Sequence, residues 1–75
     1  MAQDFQSKLA KAIKKRSKVL YVTNTDFAGA CDIDESSIRR ILNGQQNVTI
    51  KVLAQICVAL EVKMSKLIAE AEQQS

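Results

Sequence analysis

The chain has no histidine, no proline and no tryptophan, and only two glycines in 75 residues. Each absence excludes something. Without histidine, and with only Cys31 and Cys57 as thiols, a zinc site would have to rest on scattered carboxylates, so neither a metal nor another cofactor is expected. With Gly29 and Gly44 alone and no proline, turn chemistry is too sparse for a many-stranded sandwich or barrel. Aromatic residues are limited to Phe5, Tyr21 and Phe27, so the core must come from Ile, Leu, Val and Ala, a composition that favours helices. No apolar run approaches the roughly 18 residues of a membrane span. The N-terminus is too polar for a signal peptide, and a cytoplasmic protein without membrane association is the expectation. No nucleophile–base pair and no phosphate-cradling glycine loop is present, so the chain is expected to be neither an enzyme nor a small-molecule binder.

What remains is enough for one domain over residues 1–75, with a short polar tail from about residue 72. The formal net charge is +3. It is unevenly placed, since residues 1–20 hold six Lys/Arg against one Asp and the remainder is close to balanced. A basic first helix suits an anionic partner, and it equally suits a solvated lysine-rich face; Lys11 and Lys18 are read as serving solubility. Cys31 and Cys57 fall inside apolar helical patterns and are read as reduced core residues.

Phe5, Leu9, Ala12 and Ile13 recur at helical spacing, which predicts a first helix from about Asp4 to Val19. Three later starts share one arrangement. Thr23, Asp34 and Thr49 each stand where a side-chain oxygen can accept from free helix amides. In addition, Asp26 is placed to reach back to Thr23 as in a capping box. Before each cap lies an apolar residue positioned to staple onto the new helix: Val22 to Phe27, Ile33 to Ile38 and Val48 to Leu53. These signals predict helices at Asn24–Cys31, Glu35–Leu42 and Ile50–Leu60, with a last one at Met64–Ala71. Asn43-Gly44 supplies the left-handed stop of the third. The expected architecture is an all-α, compact five-helix bundle. Only Asp32 and Ile33 separate the second helix from the cap of the third, and so tight a join between short helices forms a helix-turn-helix, with Asp32 tolerating the left-handed turn position.

At these residues the chain resembles the phage repressor and Cro (XRE-type) family of helix-turn-helix DNA-binding domains. Val22-Thr23-Asn24 is similar to the family's opening of its second helix, Ala28 to the alanine in that helix, and Ile38 and Ile41 to the core pair of its recognition helix. The run "NVTIKVLAQICVALEVKMSKL" resembles its fourth and fifth helices without a gap. There are departures. Ser17 and Leu42 stand where the family often has an Arg–Glu pair, Tyr21 where glycine is usual, and Arg16 where an apolar residue is common.

The resemblance implies a sequence-specific regulator of double-stranded DNA, a repressor in the first instance, that inserts helix 35–42 in the major groove. If Ile38, Ile41 and Leu42 face the core, then Ser36, Arg40 and Asn43 point away from it, with Glu35, Ser37 and Arg39 along the margins. Arg40 suits a guanine, Glu35 a cytosine amino group, and Ser36 either, so these are the base-contact candidates. Thr23, Asn24 and Thr25 at the second helix start, Ser37 and Arg39 at the edge of the third, and Asn43, Gln45 and Gln46 beyond it are the backbone-contact candidates. The fourth helix is apolar nearly all round, and Val52 and Val58 look surplus to one core. They are the candidates for a homodimer interface, which would match a palindromic operator. The alternative is a protein-interaction module of the same fold, antitoxin-like or anti-regulatory, because fold alone does not decide function.

Overall fold

Asp4 starts the first helix: its carboxylate accepts from the backbone N–H of Ser7 at 2.8 Å, and α1 runs Phe5–Leu20. In this computed structural model, which describes residues 4 to 73, four more helices follow. They are α2 (Asn24–Cys31), α3 (Glu35–Leu42), α4 (Ile50–Leu60) and α5 (Met64–Glu72), with no strand among the described residues. The last two residues of the polar tail lie outside the described residues.

All three anticipated caps form. Thr23 Oγ1 accepts from Asp26 N at 3.1 Å, Thr49 Oγ1 from Val52 N at 3.2 Å, and Asp34 Oδ2 from Ser36 N at 3.1 Å. The staples fare differently. Ile33 and Val48 are half-buried against the core, whereas Val22 is 95% exposed. Tyr21 covers Phe27 in its place, with ring centroids 5.5 Å apart. The chain leaves α1 with Tyr21 extended, at φ −128° and ψ 139°, which turns its ring inward and sends the next side chain outward. The Tyr21 hydroxyl then donates to the carbonyl of Ala59 at 2.6 Å and ties this connection to α4.

The core is built from every helix: Ile13 of α1, Phe27 of α2, Ile38 and Ile41 of α3, Ile56 and Leu60 of α4, and Leu67 of α5 are all essentially inaccessible to solvent. Cys31 and Cys57 are buried and unpaired with each other, and burial pushes the Cys31 thiol up to about 11. Ser17 is buried and donates to the Lys14 carbonyl at 3.0 Å, while Leu42 packs in the core. The ion pair that those two positions lack occurs elsewhere, between Arg16 Nε and Glu70 Oε1 at 2.7 Å, joining α1 to α5.

Candidate nucleic-acid interface

The α2–α3 turn depends on a non-glycine left-handed residue. Asp32 has φ 59° and ψ 42°, so its N–H reaches the Gly29 carbonyl at 3.2 Å and the Ile33 N–H reaches Ala28 at 3.0 Å. These two bonds satisfy carbonyls that the end of α2 would otherwise leave open, and they fix the angle at which α3 departs. From α4, Gln55 Nε2 donates to the Cys31 carbonyl at 3.2 Å and braces the same corner. The far end of α3 is closed in the same manner. Gly44 has φ 72°, its N–H bonds the Ile41 carbonyl at 3.1 Å, and the Gln45 N–H bonds Arg40 at 2.8 Å. Here the brace comes from α1, where Gln6 Nε2 donates to the Gly44 carbonyl at 3.1 Å.

Between those ends, Ile38, Ile41 and Leu42 are buried, and Ser36, Arg39 and Arg40 are exposed on the outer side. Glu35 and Ser37 are half-buried at the margins. Ser36 donates its hydroxyl to Asp34, which holds the Asp34 carboxyl below its ordinary range; backbone N–H groups and the Arg40 charge act in the same direction. Glu35 accepts from Arg39 Nη2 at 2.8 Å, a pair one helical turn apart. Arg39 above all, and then the neighbouring Thr25 hydroxyl, lower the pKa of Glu35. Both carboxylates are therefore charged at neutral pH and offset the two arginines. The outer face of α3 therefore carries little net charge of either sign.

Thr23, Asn24 and Thr25 at the start of α2 are all exposed. Asn43 and Gln45 are exposed beyond α3. Gln46 is half-buried and accepts from Arg40 Nε at 3.0 Å, a contact that the sequence pattern gave no reason to expect. Val58 is 77% exposed, but Val52 is half-buried against the core. The two lie about 120° apart around α4 and do not share a face. The exposed apolar stripe of α4 is Ile50, Ala54 and Val58, at successive turns. Among the described residues no acidic or thiol cluster is suited to a metal ion, and no helix is long and apolar enough to cross a membrane.

A sequence model of the Cro/C1-type HTH DNA-binding domain matches residues 8–69. The chain belongs to this family. Cro/C1-type domains bind DNA and are not enzymes. No curated protein sequence matches the chain. Among solved structures, the restriction-modification controller protein C.Esp1396I is 26% identical, with a TM-score of 0.83 over 99% of both chains. The clp gene regulator ClgR from Corynebacterium glutamicum is 21% identical, with a TM-score of 0.86 over 93% of this chain and 74% of that one. The controller protein C.AhdI from Aeromonas hydrophila is 18% identical, with a TM-score of 0.78 over 83% of this chain and 94% of that one. The last two share the Cro/C1-type fold with this chain.

Proposed function

We propose that the protein is a sequence-specific transcriptional repressor that inserts α3 in the major groove and binds a palindromic operator as a homodimer. The observation that carries this reading is the outer face of α3. It presents Ser36 and Arg40 opposite a fully buried Ile38–Ile41 pair, so side chains able to hydrogen-bond base edges are exposed on a rigid support. The similar structures are a gene regulator and restriction-modification controllers, which supports a regulatory role. Repression requires only that the bound domain exclude other proteins from the operator.

In this reading Arg40 donates to a guanine, Glu35 and Ser36 flank it, and Thr23, Asn24, Thr25, Ser37, Arg39, Asn43, Gln45 and Gln46 surround the helix as candidates for the phosphate backbone. The dimer uses the exposed stripe of α4 formed by Ile50, Ala54 and Val58 and sets two recognition helices roughly 34 Å apart, one turn of DNA. The test compares Arg40→Ala and Arg39→Ala on a duplex selected from a randomised pool and on its single-base variants, over a range of salt. Arg40→Ala is expected to cost about 1–3 kcal/mol on the selected site and to relax preference mainly at one base pair per half-site. Arg39→Ala should weaken all sequences alike and reduce the log–log salt slope by roughly one per subunit. Equal, sequence-independent losses would show that neither arginine reads a base. Absence of duplex binding at any salt would shift the fold to a protein partner.

A further inference from the structure

We infer that Gln46, which lies outside the recognition helix, is a positioning residue for Arg40 and so determines the base preference of α3. The inference rests on Arg40 as the base contact. An arginine presents one N–H at Nε and four at its two terminal nitrogens, and a guanine is met by a pair of donors from one edge of that fork. Gln46 Oε1 takes the Nε hydrogen at 3.0 Å. The edge formed by the two terminal nitrogens is left for a base.

Arg39 is held the opposite way. Its terminal Nη2 is the atom bonded to Glu35, so one of the two nitrogens at the outer end already has a partner. Two adjacent arginines of one helix therefore differ in which part of the fork is free, and only Arg40 is fixed with its tip open.

The loop accounts for the placement. With Gly44 left-handed and the Gln45 N–H bonded to the Arg40 carbonyl, the chain folds back along the last turn of α3. The Gln6 amide bonded to the Gly44 carbonyl keeps it there. Gln46 is thereby brought beside a residue six positions earlier, and it is half-buried where Gln45 is exposed. Since arginine only donates, the Gln46 amide must present its oxygen to Arg40. A neutral acceptor also suits a surface that meets phosphates, because a carboxylate there would be repelled. Restraining a long side chain before binding lowers the ordering cost at the moment of contact, which raises affinity for the matching base alone.

The experiment uses Gln46→Leu and Gln46→Glu in the full chain, alone and combined with Arg40→Ala, on the selected duplex and its single-base variants. Gln46→Leu should weaken the selected site roughly three- to tenfold and lose preference at the same base pair that Arg40→Ala relaxes. In the Arg40→Ala background it should have little further effect. Gln46→Glu retains the acceptor, so preference at that base pair should persist while affinity for every sequence falls through phosphate repulsion. An unchanged helical signal and melting temperature will show that no variant acts through folding. A Gln46→Leu loss that is equal for all sequences and additive with Arg40→Ala makes Gln46 a backbone contact and overturns the inference. If Arg40→Ala relaxes one base pair and Gln46→Leu leaves preference intact, the inference fails while the base role of Arg40 stands. If Arg40→Ala relaxes no base pair, both fail.

Discussion

Glu61 closes α4 with φ 55° and ψ 45°, a conformation in which a side chain crowds the following carbonyl. The closure follows the pattern seen at Asp32 and Gly44: Glu61 N–H to the Val58 carbonyl at 3.2 Å and Val62 N–H to Cys57 at 3.1 Å. Of the three left-handed positions among the described residues only Gly44 has glycine's freedom. Glu61→Gly is therefore expected to stabilise the domain by about 0.5–1 kcal/mol, the relief of left-handed strain exceeding the added entropy of the unfolded chain. Chemical denaturation measures it, and a decrease in the midpoint at unchanged slope would contradict the account. Asp32 could be anticipated from a join too short for anything but a sharp turn, and from the tolerance of Asp for that conformation. Glu61 could not, since the sequence "LEVKM" contains no residue that favours a left-handed stop. Val22 misled for a related reason. Spacing alone suggests a staple to Phe27, but the extended backbone at Tyr21 decides which of two neighbouring side chains turns inward.

At the scale of elements, helix starts were more legible than helix contacts. Thr23, Asp34 and Thr49 bond to amides within three residues of themselves, so their signal is local and survives in a bare sequence. Thr49→Ala should consequently cost about 1 kcal/mol, through one unsatisfied amide at the start of α4. A thermal melt that is unchanged would mean solvent replaces the cap without loss. The outer face of α3 was equally readable, because Ile38, Ile41 and Leu42 fix its rotation. The bonds between elements were not. Arg40 with Gln46, Gln6 with Gly44 and Gln55 with Cys31 depend on the paths of loops and on helix packing, which no periodicity encodes. Val52 and Val58 illustrate the same limit. Apolar character all round α4 reveals surplus, but only the positions of α1, α2 and α5 around it determine which side remains open.

Across the whole molecule, α1 and α5 pack most extensively, and the Arg16–Glu70 pair bridges them with both side chains about one-third exposed, 29% and 32%. Arg16 was legible as an oddity, a charge at a position where the family favours an apolar residue, though its partner 54 residues away was not. The Arg16 guanidinium holds the Glu70 carboxyl below its ordinary value of 4.5. Because the folded-state pKa is the lower one, the pair contributes fully at neutral pH and down to about 4.5, then loses its effect as pH falls through the folded-state value. Glu70→Gln should cost up to about 1 kcal/mol at pH 7 and flatten the acid limb of a stability–pH profile. Parallel profiles for both proteins would show the pair to be neutral. The proposed dimer is tested at the same scale by Val58→Asp. Sedimentation should report loss of the dimer with helical content retained, and operator affinity should fall. A wild type that remains monomeric at high concentration removes the dimer from the reading. Two glutamine amides hold the approaches to α3: Gln55 bonds the carbonyl of Cys31, the last residue of α2 before the turn, and Gln6 that of Gly44, just past the end of α3. Helix α3 is mounted between brackets that belong to its neighbours, so its orientation is inherited from α1 and α4. Transplanting residues 35–42 into a relative would transfer the lettering and leave the pointing behind; the smallest exchangeable set is Cys31 to Gln46 together with the two brackets outside it, Gln6 and Gln55.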